Sequence, residues 1–267
     1  ASFHAAIQGG ADSIYFGVEQ LNMRARATNN FALDDLPEIA KIAKEHGIRT
    51  YLTLNTILYD HDLPVMKSII NEVKSAGITA IIAADQAAIS YAAKQGVEVH
   101  ISTQANISNV EMVEFYSHFA DVMVLARELS VGQMRHIIQT VKKEQITGPS
   151  GKLVEIEVFA HGALCMAVSG KCYLSLHTYN SSANRGACKQ NCRHGYMVED
   201  IEDGTQIHID NQYMMSPKDL CTIDFLDELI GSGVRVLKIE GRGRSPEYVK
   251  KVTATYKAAA QAVLDGT

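Results

Sequence analysis

The chain has 267 residues, 46% apolar and 21% charged, with a formal net charge of -5 at pH 7. That length holds a large core, as one α/β unit or two small domains, and no apolar run approaches the ~18 residues of a membrane span. The negative balance argues against a protein that grips nucleic acid with its whole surface, because phosphate binding needs clustered Lys and Arg.

The opening segment ASFHAAIQGG reads as a helix, and seven strand-like apolar segments follow: ADSIYFGV, IRTYLTLN, ITAIIAAD, VEVHIST, ADVMVLARE, LVEIEVFAHG and VRVLKIEGR. Between them, LDDLPEIAKIAKEHG, LPVMKSIINEVKSAG and VEMVEFYSHF repeat apolar residues at the helical period. Gly10, Gly47, Gly77, Gly96 and Gly233 each precede a strand, where a helix C-cap lets the chain turn back. This alternation predicts parallel strands with crossover helices, hence an α/β fold: a (β/α)8 TIM-type barrel in one domain over 1–267, its first strand lying before Ala1. A doubly wound open sheet is the competitor, but no strand leads into a G-x-G-x-x-G phosphate loop.

The rhythm breaks after the penultimate strand, which ends near His161. From Cys165 to Cys221 runs a loop insertion far longer than an ordinary connection, and it holds all five cysteines: Cys165, Cys172, Cys188, Cys192 and Cys221. On a barrel it overhangs the C-terminal face, where active sites of that fold lie. Lys171, Arg185, Lys189 and Arg193 fall between Cys165 and Val198 without a single Asp or Glu, a local basic patch. No secretory leader opens the chain and five thiols cannot all pair, so a disulfide framework is disfavoured and a cytoplasmic setting expected.

Strand alternation sorts inward from outward side chains. Val154, Ile156, Val158 and Ala160 take one face; Glu155, Glu157, Phe159 and His161 take the other. Lys238, Glu240 and Arg242 share a face, as do His100, Ser102 and Gln104 with Asn106 beyond, while Asn55, Asp85 and Arg127 close three further strands. Gln104, Arg127, Glu157, His161, Glu240 and Arg242 on one inward face resemble a polar ligand pocket. Glu157 with Arg127, or Glu240 with Arg242, are alternatively structural ion pairs. Arg24 and Arg26, in LNMRARATNN, would add anion-binding donors.

The thiol spacing C-x6-C-x15-C-x3-C-x28-C contains no C-x-x-C knuckle. It suits an iron-sulfur cluster better than a zinc ribbon, against the alternative of inert buried thiols. A nucleophilic cysteine with His161 or His194 as base is a further option.

EVFAHGALCMAVSGKCYLS closely resembles the signature of the collagenase-like peptidase family of unassigned catalytic type, and VHISTQANISN, ARELS and LKIEGRGRSPEYV resemble its other blocks in the same order. The resemblance implies a barrel. It also implies an activity like that of the family's oxygen-independent hydroxylases, which act on a tRNA wobble uridine with prephenate, on a ribosomal RNA cytidine or on a quinone precursor. Carried over, a four-iron four-sulfur cluster would sit on Cys165, Cys172, Cys188 and Cys221, with Cys192 as a fifth thiol; zinc would replace it after purification in air. Glu157, His161 and Glu240 become catalytic candidates, and Arg24, Arg26, Asn55, Gln104, Asn106, Arg127 and Arg242 line the substrate pocket. RNA, tRNA above all, is the expected partner. Two other readings stand beside this one: a metal- or cysteine-dependent peptidase, and a non-catalytic RNA- or partner-binding barrel with structural zinc. Neither H-E-x-x-H nor G-x-S-x-G occurs.

Overall fold

The computed structural model describes residues 1–25, 30–210 and 215–266. All seven expected strands form. Helix α1 (Ser2–Gln8) leads into β1 (Ser13–Phe16), and α2 (Leu36–Glu45), β2 (Arg49–Leu54), α3 (Leu63–Ala76), β3 (Ala80–Ala83), α4 (Gln86–Gln95) and β4 (Glu98–Ile101) alternate after it. Next come α5 (Val110–Ser117), β5 (Val122–Val124), α6 (Val131–Glu144) and β6 (Glu155–Gly162). Sequence capping signals set these boundaries: Asp85 accepts from the Ala87 amide, Asn109 from Met112, and Ser130 forms a capping box with Gln133.

Beyond β6 lies a lobe made of α7 (Leu174–Tyr179), a hairpin of β7 (Tyr196–Glu199) and β8 (Gln206–Ile209), and the two-residue strand β9 (Leu220–Cys221). The chain then returns through α8 (Leu226–Gly231), β10 (Val236–Ile239) and the long α9 (Pro246–Asp265). The main sheet runs β1-β2-β3-β4-β5-β6-β10 with these neighbours parallel, and β9 adds to β6 antiparallel. Outward residues of the strands, including Leu52, Ile81, Ile101, Met123, Ile156 and Val158, pack under the helices as the main core.

The expected barrel is corrected in one respect. Among the described residues the sheet is curled but open, with β1 and β10 as its two ends. The Tyr15 hydroxyl spans the seam to the Ile239 carbonyl (3.3 Å) and to Glu240 Oε2 (2.9 Å). Outside the seam α1 packs on α9, close enough that a Cβ at Gly9 would stand 2.8 Å from the Thr253 Cβ. The ring of helices is therefore shut where the ring of strands is not, and a cavity of about 1600 Å³ lies along the seam. No helix of the described residues is long and apolar enough to cross a membrane.

Candidate functional site

The inward face of the curled sheet is polar. Towards the N-terminal strand ends, Glu98 pairs with Arg49 (2.5 Å) and with His100 Nε2 (2.9 Å), and His100 lies against the Tyr51 ring. Further up, Glu157 and Lys238 form a buried ion pair at 2.6 Å, with the ammonium 4.4 Å from the Tyr15 ring centre. Near the C-terminal ends, Glu240 accepts from Tyr15 and from the Arg242 amide (2.9 Å), while the Arg242 guanidinium donates to Asn22 Oδ1 (2.7 Å). Burial pushes the Tyr15 phenol well above its ordinary value, and the adjacent Glu240 carboxylate pushes it the same way. Burial lowers Arg242, and the neighbouring Arg24 cation lowers it further against Glu240. The Arg242 guanidinium thus lies beside the Glu240 carboxylate and within electrostatic range of Arg24.

His161 closes β6. Its Nδ1 is 3.3 Å from the Tyr256 hydroxyl, which donates to the Ala160 carbonyl (2.9 Å) and accepts from the Thr222 amide (2.9 Å). With the phenol proton given to the Ala160 carbonyl, the tautomer consistent with this network has hydrogen on His161 Nδ1 and the lone pair on Nε2. Burial lowers the His161 pKa and the Arg244 cation adds to it against Asp219, which favours the neutral ring.

The lobe is fastened over the C-terminal strand ends at three places. Arg127, at the end of β5, donates to Ser169 Oγ (3.1 Å) and to the carbonyls of Cys165 (3.1 Å) and Ala167 (2.7 Å), while Asn106 holds the Ser169 carbonyl (2.8 Å). Arg185 grips Asp62 bidentately (2.6 and 3.1 Å) and lies over the Tyr59 ring. Strand β9 pins Cys221 opposite His161. At the handover from β6 to the lobe, Gly162 has φ +115°, and a Cβ there would stand 2.6 Å from the Glu240 carbonyl, so only glycine fits.

Of the expected pocket residues, Glu157, Glu240, Arg24 and Arg242 belong to the interior or its mouth. Arg127 and Asn106 instead hold the cysteine loop, and Asn55 holds another loop by accepting from the Met23 amide (3.2 Å). Arg127 pairs with the lobe because its strand ends beneath Cys165, and Glu157 takes Lys238 as its partner. The Glu240–Arg242 contact runs through the Arg242 backbone amide. Arg26 lies outside the described residues. Several polar atoms in and beneath the lobe, Thr56 Oγ1, Thr103 Oγ1, Gln104 Oε1, Asn106 Oδ1 and Asn184 Oδ1, are buried without a hydrogen-bond partner among the described residues, as where a ligand or water completes a site.

All five thiols are free. Burial raises the Cys192 thiol first, and the nearby Cys165, Cys188 and Cys172 raise it further, so these four are electrostatic neighbours. Cys221 stands apart in its contacts, with Sγ 3.9 Å from the Tyr256 hydroxyl. Cys188 Sγ accepts from the Gln190 amide (3.4 Å) and faces the Ser175 hydroxyl (4.0 Å). Among the described residues no three His, Cys, Asp or Glu side chains stand close enough to share one ion. The proximity of Cys192 to three other thiols was hidden in the sequence, where only C-x3-C linked it to Cys188.

Residues 1–267 match the family model described as peptidase family U32. The chain belongs to peptidase family U32. It is 59% identical over 266 residues to a protein of Porphyromonas gingivalis named collagenase, covering 100% of this chain and 64% of that protein. It is 36% identical to a 23S rRNA 5-hydroxycytidine synthase of Escherichia coli, covering 97% of this chain and 38% of that protein. It is 34% identical to a tRNA hydroxylation protein of Bacillus subtilis, covering 94% and 58%. The U32 family therefore contains proteins named for RNA hydroxylation beside others named as collagenases, and this chain spans less than two thirds of the length of each relative.

Proposed function

We propose that this U32 protein is an oxygen-independent hydroxylase of an RNA base, of the tRNA wobble-uridine type, working with a four-iron four-sulfur cluster and prephenate in the cytoplasm. The observation that carries the reading is the thiol-rich lobe fastened over the polar mouth of the sheet. Four of its five thiols, Cys165, Cys172, Cys188 and Cys192, lie in a stretch free of carboxylates with Lys171, Lys189 and Arg193 among them, so their thiolate charge is offset. Cys188 already accepts a backbone N–H, the bond that tunes cluster sulfurs. The gathering of Cys165, Cys172, Cys188 and Cys192 in one lobe supports a cluster through the chemistry of the donors.

Cys165, Cys172, Cys188 and Cys221 would hold it, as the family resemblance implies, Cys221 being pinned by β9 against the strand that delivers Cys165; Cys192, the neighbour of the first three, is the alternative fourth thiol. When bound, the cluster supplies one-electron chemistry that side chains lack. This chain's own residues would bind and orient: Arg24 and Arg242 would receive the carboxylates of prephenate, and Glu240, hydrogen-bonded to Tyr15, and His161, beside Tyr256, would move protons. Two named RNA-hydroxylating relatives match nearly the whole chain. Anaerobically purified protein should contain iron and acid-labile sulfide; Cys165→Ala and Cys221→Ala should abolish the cluster absorbance, and Cys192→Ala should leave most of it. Hydroxylated nucleosides unchanged by mass spectrometry in cells lacking the protein would count decisively against the reading.

One observation favours a second reading, a cysteine peptidase: Cys221 and His161 are cross-strand partners that both contact the Tyr256 hydroxyl. It requires gelatin hydrolysis that survives cluster removal and disappears in Cys221→Ser.

Among the described residues the outer edges of β1 and β10 have no strand partner, which together with the cavity between them supports an eighth parallel strand as the closing element of a full barrel. A longer chain should then show slowed amide exchange along both edges.

A further inference from the structure

We propose that the outer face of the lobe, α7 with its flanking turns, is the surface on which a single-stranded segment of RNA docks. This rests on the reading above that the substrate is an RNA base.

The charge distribution is the first support. Residues 162–198 contain four basic side chains and no acid, so with the whole chain at -5 the remainder stands at -9. Arg185 is matched by Asp62, and Arg193 donates to the Leu164 carbonyl while remaining half-exposed. Lys171 and Lys189 are exposed and have no side-chain partner among the described residues. A polyanion approaching this otherwise acidic protein meets attraction chiefly here.

The aromatic residues are the second. Tyr173 and Tyr179 bracket α7 and are 66% and 49% exposed. Neither stacks on a ring or cation among the described residues, whereas exposed Tyr59 carries Arg185 and exposed Phe115 packs on Phe119. Open tyrosines among unpaired lysines are the components of single-strand binding, in which bases stack on rings and the backbone follows the cations. Duplex offers no base face for such rings.

Local packing makes the face continuous. The Lys189 amide donates to Ser175 Oγ in the first turn of α7 (3.0 Å), and Asn191 Nδ2 donates to Thr178 Oγ1 on the same helix (3.0 Å). Arg193 ties this segment back to Leu164, beside Cys165. A strand lying on α7 therefore runs beside the thiols, with a base free to turn towards the mouth. The hairpin tip carrying Asp200, Glu202 and Asp203 repels phosphate and bounds the face.

The test is binding of bulk tRNA and of a fluorescent oligouridine to the full chain across a sodium chloride series. Each phosphate contact adds about 0.7 to the slope of log affinity against log salt for single strands, so the Lys171→Ala, Lys189→Ala double variant should bind more weakly with a slope reduced by about 1.4. The Tyr173→Ala, Tyr179→Ala double variant should lose about 5- to 150-fold per ring with the slope unchanged. Lys41→Ala with Lys44→Ala, on α2, removes equal charge and should bind like wild type. All these side chains are exposed, so the variants should keep the wild-type circular dichroism. If wild type binds RNA and the lobe variants bind equally well, the docking face is wrong while the RNA reading stands. If wild type binds neither probe, both fall. If gelatin displaces the RNA and the lobe variants lose gelatin binding, the face belongs to a peptide and the proposal is overturned.

Discussion

Lys238 and Glu157 sit opposite each other inside the curled sheet, nearly shut off from water, where each charge depends on the other. Removing one partner strands its mate, at about 3–5 kcal/mol, whereas replacing both with apolar groups of similar size costs much less. Glu157→Gln and Lys238→Met should each lower the urea midpoint strongly, and the double variant Glu157→Leu, Lys238→Met should recover much of the loss. Additive losses would mean that the pair does not act as a unit. Arg127 presents a different case, because its three donors go to the lobe. Arg127→Ala should leave the fold intact while amide exchange over 165–170 rises about tenfold or more, given 1.5–3 kcal/mol per charged hydrogen bond, and Cys165 reacts faster with a thiol reagent. Alternation along the strands correctly placed Glu157 and Lys238 on the inward face. It could not pair them, because partnership depends on how β6 and β10 stand beside each other across more than seventy residues of chain.

The lobe is an element held by a few polar contacts rather than by a core of its own. Its firmest tie to the β2–α3 loop is the Arg185–Asp62 fork, and hydrogen bonding from Arg185 holds the Asp62 carboxyl below its usual range. A carboxyl whose folded pKa is depressed contributes stability above its unfolded value, about 4, and loses it as pH falls through the lower folded value. Acidification below about pH 4 should therefore loosen the lobe, seen as faster proteolysis within 165–221, and Arg185→Ala should produce the same loosening at neutral pH. Sensitivity in Arg185→Ala that still rises at low pH as in wild type would remove Asp62 as the cause. The seven sheet strands were legible as short apolar runs because the parallel sheet is covered on both sides, β3 and β5 being buried along their whole length. The β7–β8 hairpin is exposed along most of both strands and β9 is two residues long, so neither left a pattern to read. The thiols were legible as a set, but which of them are neighbours was decided by how α7 folds the lobe back upon itself.

At the scale of the whole molecule, the helices close a ring that the strands leave open, and the closure rests on the approach of α1 to α9. Gly9 makes that approach possible: a Cβ there would meet the Thr253 side chain at 2.8 Å and the Lys250 carbonyl at 2.9 Å, and neither can retreat without moving α9. The φ of Gly9 is -76°, so alanine would suffer only from crowding, without backbone strain. Overpacking of this kind costs about 1–3 kcal/mol, and for a chain of this size each kcal/mol shifts Tm by about 2–4 °C. Gly9→Ala should thus lower Tm by about 2–12 °C and widen the seam, exposing Tyr15 and the β10 edge to hydrogen exchange. Gly231→Ala supplies the control: its Cβ would meet nothing within 4 Å, and it should hold or slightly raise Tm by restricting the unfolded chain. Calorimetry of the two variants separates the effects, and a Gly9→Ala protein as stable as wild type would mean that the α1–α9 contact does not hold the curl of the sheet.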